Sequence, residues 1–517
     1  MRGALISALV LSVPPVWAQT DDGTPLSAID WLSESVEQPS VVAAPPVLGT
    51  QATRTPDAGE PPVARSATAP AVSVQPLSGA APRALGLLTP EAYGLPANLW
   101  DGSDGATLSA LLAAEETDTL PVLQDLIVTL AITRANPPRE AAMPDAFFLA
   151  RVDKLLSIGA LAPAQAMLGA AGPDTSDMFR RWFDVSLLTG TEDAACRSLQ
   201  RKPDVAPTPA ARIFCLARLG DWPAAVLTLN TGRTLGDIDP ATADLLARFL
   251  DPDVFEGEPE PARPDPVTPL TFRMFEAIGS AMPTQNLPRA FSNADLRPNV
   301  GRKAQLEAAE RLARAGAIET NALIGLYTAR VPSASGGVYE RARAVAVLNN
   351  ALEGGDTDAI TLAVRNLMDE TAPVGVTVPL ARFYAPQLMT VARGSTDRTM
   401  FEFLLMSDRY NDAASIDGLA QTDPFLAAVA LGDPSAVETQ RGKYPLVQDA
   451  FAVEPDPNVV AMATNGRMGE AILRTIATVQ QGLDGDRVAF GEGIATLRAL
   501  GLEDVARQVA LQYLVLE

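Results

Sequence analysis

From Leu85 onward, leucine, alanine and valine recur at intervals near 3.6 residues, and the apolar/polar alternation of a half-buried strand is scarce. That period restricts the fold more than any other feature of the chain. Side chains spaced this way share one face of a helix, so burying them calls for helix against helix rather than sheet. The expectation is an all-α protein. A helical pattern running through most of 517 residues suits two or three domains or one extended repeat array.

The period breaks twice. Residues 37–84 are mostly Pro, Ala, Ser and Thr with few large apolar anchors, a mixture that buries too little to offset chain entropy. A disordered linker is expected there. The second break is "EGEPEPARPDPVTP", residues 256–269, whose prolines deny helix. The expected organisation is an N-terminal helical block over 85–255 and a C-terminal one over 270–517.

"LARLGDWPAAVLTL", Leu216 to Leu229, shows how such helices connect. Thr208 is placed as an N-cap with Pro209 in the first helical turn, and Ile213, Phe214 and Ala217 form the apolar side. Gly220 follows the last periodic residue, where a left-handed cap tolerates no side chain well. Asp221 then caps the next helix, and Ala225, Val226 and Leu229 are expected to continue its buried face. Glycine followed five residues later by alanine recurs at Gly159/Ala164, Gly190/Ala195, Gly354/Ala359, Gly466/Ala471 and Gly501/Ala506. A degenerate copy has Gly316 and Asn321. Gly159, Gly190 and Gly220 are 31 and 30 residues apart, which suits one helix pair per repeat.

Gly220-Asp221-Trp222-Pro223-Ala224-Ala225 resembles the Gly-Asp-aromatic-x-x-Ala turn of the tetratricopeptide repeat. The resemblance covers about three units between residues 145 and 235, with looser copies further on, and departs from that family's regular period. It implies an α-solenoid of antiparallel helix pairs whose concave face binds peptides or proteins.

The chain has no histidine, which removes the usual general base of nucleophilic triads and the commonest ligand of zinc and copper. No phosphate-binding glycine loop follows a strand, so neither cofactor nor metal is expected. "SASGG", residues 333–337, offers backbone N–H groups before a helix, as an anion cradle or simply as a cap. With 40 basic and 62 acidic residues the net charge is −22, which argues against nucleic acid and against anionic membrane surfaces. Only Lys154, Lys202, Lys303 and Lys443 are lysines. A carboxylate-dependent wall hydrolase is the competing class. Glu307, Glu310 and Glu319, however, read as a solvated helix face with Arg311 and Arg314.

Met1-Arg2, the apolar run Ala4 to Val13 and Val16-Trp17-Ala18 read as an export signal cleaved after Ala18. The run is shorter than the ~20 residues of a membrane span, and no other stretch is apolar enough for one. The expected compartment is therefore the periplasm. There an even pair of cysteines invites bonding, so Cys196 and Cys215 are disulfide candidates; two separate buried thiols are the alternative.

Residues 19–36 hold a short amphipathic helix motif, "PLSAIDWLSESV". Leu26, Ile29, Leu32 and Val36 share an arc of about 120° on a helical wheel, with Trp31 off it. Such a segment docks into a partner's groove, folds back on its own array, or stays unstructured. Together these readings predict a non-enzymatic periplasmic scaffold or adaptor. It would bind another envelope protein through the groove of the array, the N-terminal helix, or both.

Overall fold

The computed structural model describes residues 84–138, 145–332 and 336–516. The expected export signal, the segment carrying Leu26, Ile29, Trp31, Leu32 and Val36, and the expected linker up to residue 83 lie outside them. So does Ser333 to Ser335 of the "SASGG" stretch. Among the described residues there are 25 α-helices and no strand; a single β-bridge pairs Leu88 with Thr133.

The first two helices are α1 (Gly105–Ala114) and α2 (Pro121–Ile132). Then come α3 (Ala146–Ile158), α4 (Leu161–Ala171), α5 (Ser176–Thr189), α6 (Glu192–Arg201), α7 (Pro209–Arg218), α8 (Trp222–Leu235), α9 (Pro240–Leu250) and α10 (Pro269–Ala277). A short α11 (Ser292–Asp295) leads to α12 (Arg302–Ala313), α13 (Thr320–Thr328), α14 (Val338–Gly354), α15 (Thr357–Thr371), α16 (Thr377–Ala392) and α17 (Arg398–Leu405). Short helices follow: α18 (Tyr410–Ala414), α19 (Asp417–Ala420), α20 (Pro424–Leu431), α21 (Tyr444–Ala450) and α22 (Pro457–Thr464). The last three are α23 (Met468–Leu483), α24 (Arg487–Ala499) and α25 (Glu503–Val515). Most helices adjacent in sequence pack on one another, the arrangement of an α-solenoid.

Local chemistry explains the turns. At the α7–α8 hairpin, the Thr208 hydroxyl accepts from the Ala211 N–H at 3.1 Å and the Asp221 carboxylate from the Ala224 N–H at 3.2 Å. Gly220 between them has φ of +89°, a left-handed conformation that β-carbon sterics disfavour in other residues. Gly159 and Gly190 close α3 and α5 at φ of +91° and +77°. Ala164, Ala195 and Ala225, five residues after each glycine, are fully buried.

Two expectations fail at this level. Val226, placed on the buried face, is 45% exposed, because the inward stripe of α8 runs through Ala225, Leu229 and Gly232. At the α14–α15 turn the left-handed residue is Gly355, not Gly354, so Ala359 is exposed and Ile360 takes the buried place.

The described residues form one compact unit. The stretch 256–269 interrupts the helices without dividing the core, since Leu246 before it and Phe272 after it belong to the same apolar cluster. That first core draws on α1, α3 to α10, and Ile472, Leu473 and Ile476 of α23. A second core draws on most of α12 to α21 and on α24 and α25. Helix α2 feeds both: Leu126, Ile127 and Leu130 enter the first, Val122 and Leu123 the second.

None of the residues of α2 is exposed, and all but Gln124, Asp125 and Thr129 are apolar. It touches α3 on one side and α25 on the other, and the Gln512 side-chain oxygen of α25 accepts from the Val122 N–H at 3.1 Å. Helix α1 meets α23, where the Gly469 N–H donates to the Leu99 carbonyl at 2.9 Å. From the middle of the chain, Arg382 of α16 reaches Asp125 of α2 at 2.5 Å. Helices from the end of the array thus pack against its first helices.

Candidate functional site

A recess with polar walls lies between α1 and α3. It is an open cleft of about 890 Å³. Ala110, Ala113, Ala114 and Ala150 make its walls, and their small side chains leave the space. Glu115, Glu116, Asp118, Asp153 and Lys154 supply its charge.

Lys154 organises the floor. It stands on the inward side of α3, 5% exposed, and its ammonium donates to the Ala113 carbonyl at 3.2 Å and the Glu115 carbonyl at 2.8 Å. These are the last carbonyls of α1, which have no intrahelical partner and carry the negative end of the helix dipole. Burial lowers the Lys154 pKa, and the nearby Glu115 carboxyl partly restores it. Glu115 itself, the residue that ends α1, is 6% exposed, and no described residue donates a hydrogen bond to its side chain. Loss of water pushes its carboxyl up to about 8, against the pull of Lys154 and with a push from Glu116. At neutral pH this floor group is mainly protonated.

The rim is different. Arg181 of α5 grips Asp153 with two bonds of 2.6 Å, and Arg289 and Arg314 converge on one oxygen of Asp118 at 2.5 and 3.5 Å. The Ser109 and Ser157 hydroxyls donate back to carbonyls of their own helices at 2.7 Å. Glu116 is exposed. Chemically, the cleft presents carboxylates already engaged by arginines over one acid raised by burial.

None of the glycines and alanines predicted to shape repeat turns lines this cleft, although Gly159 follows its lining residue Ser157 by two positions. Cys196 of α6 and Cys215 of α7 form a disulfide. Glu310, expected on a solvated face, is instead buried: Arg341 holds both its oxygens at 2.7 Å and the Tyr327 hydroxyl donates to one at 2.7 Å. Glu307 does face solvent, 3.6 Å from Lys303, while Arg311 turns inward to the carbonyls of Thr284 and Leu287. A second exposed feature is the outer edge of α8, where Trp222 and Val226 are 44% and 45% exposed and Leu227 68%.

Among the described residues, no group of three or more carboxylates and cysteines is arranged to hold a metal ion, and no helix is long and apolar enough to cross a membrane. No known family model matches the chain, and neither does any curated protein or solved structure.

Proposed function

We propose that the chain is a non-enzymatic periplasmic adaptor that binds another envelope protein on the outer surface of its helical array. The observation that carries this reading is the α1–α3 cleft: it is open and lined by acceptors, yet Asp118 and Asp153 are engaged by arginines. Carboxylates tied up in this way suit recognition better than proton transfer, where a free base must stand near the acid. The Cys196–Cys215 disulfide supports an oxidising compartment, as the leader-like start of the sequence does. Residues 25–36 are proposed as a second contact, acting in trans.

In-cell crosslinking followed by mass spectrometry tests this reading. The intact chain is expected to capture one reproducible envelope protein, and deletion of residues 25–36 to abolish capture without lowering the melting temperature. A large fall in melting temperature would mean that the segment docks on its own array.

A wall-cleaving enzyme is the second reading, favoured by the raised acid Glu115, because a glycosidase needs one carboxyl that stays protonated. Incubation with purified peptidoglycan separates the two. Soluble muropeptides released by the native protein and lost in Glu115→Gln would overturn the adaptor reading.

A further inference from the structure

Helix α8 packs on α7 and α9, the helices beside it in sequence, and its outer edge is left uncovered. The first two turns of that edge are apolar, with Trp222, Val226 and Leu227 all exposed. Further along, exposed Asn230, Thr231 and Thr234 make the edge polar, so the apolar patch is bounded. The Trp222 indole is held in place. Asp221 caps the turn that carries it, and its ring lies 6.5 Å from that of half-buried Phe249 at the end of α9. A ring ordered before contact loses little freedom on binding, and tryptophan is a frequent anchor of interfaces.

The chain that runs on from Phe249 sets the charge beside this patch. Asp251, two positions later, is exposed, as are Asp253 and Glu256. Among the described residues, no arginine or lysine stands within bridging distance of these three carboxylates. Val254, next to Asp253, is exposed as well. The basic residues of the region are engaged or set apart. Arg248 holds Asp244 at 2.9 Å and Glu258 at 3.0 Å, and Arg218 holds Asp193 at 2.7 Å. Arg233 lies about three turns along α8 from Trp222, and Arg263 lies beyond Glu260. A free negative rim beside an aromatic patch disfavours an anionic membrane surface. It equally disfavours the chain's own residues 25–36, which carry Asp30 and Glu34 and no basic residue. A second copy docked through the same patch would bring the same acids with it.

We propose that the outer edge of α8 seats a basic amphipathic helix of the partner. Its apolar side chains rest on Trp222, Val226 and Leu227, and its lysines or arginines face Asp251, Asp253 and Glu256. The inference rests on the adaptor reading for the existence of the partner, while the patch and its charge belong to this chain alone. Apolar anchors one turn apart on the incoming helix meet the indole and the two aliphatic side chains. Exposed charges set partner choice and rate of encounter more than affinity, so the apolar contact carries the energy and the rim selects the sign.

The probe is the peptide acetyl-Leu-Lys-Lys-Leu-Leu-Lys-Leu-Leu-Lys-Lys-Leu-Leu-Lys-Leu-amide, titrated calorimetrically into the full chain. Its controls are a twin with every lysine replaced by glutamate and a scramble of the same composition without an apolar face. Saturable one-to-one binding is expected for the probe alone, weakening as salt is raised. Leu227→Asp should weaken it about tenfold or more, whereas Leu362→Asp, at an exposed position of α15, should leave it unchanged. Asp253→Asn combined with Glu256→Gln should weaken it severalfold at low salt; Glu353→Gln combined with Asp358→Asn, exposed elsewhere, should not. All these positions are exposed, and unchanged melting temperatures confirm that the variants remain folded. Equal weakening by site and remote variants would show diffuse attraction and overturn the proposal, as would equal binding of the glutamate twin or no saturable binding. Tighter peptide binding after deletion of residues 25–36 would assign the patch to the chain's own segment. A dimer lost in Leu227→Asp would assign it to a second copy; either result overturns the proposal. A partner crosslinked in cells away from α8 would overturn this site and leave the adaptor reading standing. Peptide binding as expected, with no envelope protein crosslinked in cells, would overturn the adaptor reading and leave the site standing.

Discussion

Glu115 and Lys154 show how two residues set the chemistry of a surface. The folded chain holds the Glu115 proton up to about pH 8, whereas the unfolded chain releases it near its ordinary 4.5. Between those values the native state binds more protons, so this group's contribution to stability is full below 4.5 and is lost as pH rises through 8. Glu115→Gln keeps the shape and removes the titration. Its unfolding free energy should gain on the native protein by on the order of a few kcal/mol between pH 5 and pH 8. Urea unfolding at both pH values checks this, and parallel curves for the two proteins would refute it. Little of this site was legible beforehand. Glu115 sits in "AAEETD", which reads as a polar helix end, and burial depends on α3, which is distant in sequence. A signal was present in Lys154: one of four lysines in an arginine-rich chain, it lies between the apolar residues Val152 and Leu155, where a compact ammonium can reach carbonyls under cover.

The α7–α8 hairpin shows what is readable in an element and what is not. Its caps and turn follow from residue chemistry that acts within three or four positions, so Thr208, Gly220 and Asp221 take the places their side chains imply. The phase of the helix is another matter. In an alanine-rich helix several neighbouring stripes are apolar, and only the facing helix decides which is covered, so Val226 points out and Gly355 replaces Gly354. The two sides should respond differently to added volume. Ala225→Leu is expected to cost about 1–3 kcal/mol, because three heavy atoms must enter a filled contact, whereas Val226→Leu should stay within about 0.5 kcal/mol. Urea midpoints of the two variants measure the difference, and equal shifts would contradict the burial described for this helix. The Cys196–Cys215 bond ties α6 to this hairpin across a separation of 19 residues, a loop whose closure stabilises by roughly 3 kcal/mol in the chain-entropy view.

For the whole molecule, helical class and pairwise stacking follow from the 3.6-residue period, but that period says nothing about where the stack ends. The clue to closure lay in "PVLQDLIVTLAI", whose apolar residues outnumber Gln124, Asp125 and Thr129 three to one and spread around the helix, though no local pattern says which helices surround it. Closure is tight at Gly469. A β-carbon there would overlap ring carbons of Trp100 and stand 2.7 Å from the Leu99 carbonyl oxygen, neither of which can easily give way. Gly469→Ala should therefore cost about 3 kcal/mol and raise amide hydrogen exchange in α1 and α23 before other helices. Exchange that rises evenly, or not at all, would count against that seam as the closing contact. An open array gains or loses a helix pair at little cost, because its free ends simply move apart or together. Here α23 and α25 must arrive opposite α1 and α2, so the number of pairs is fixed by circumference: deleting one would leave the last helices short of the first, and adding one would carry them past.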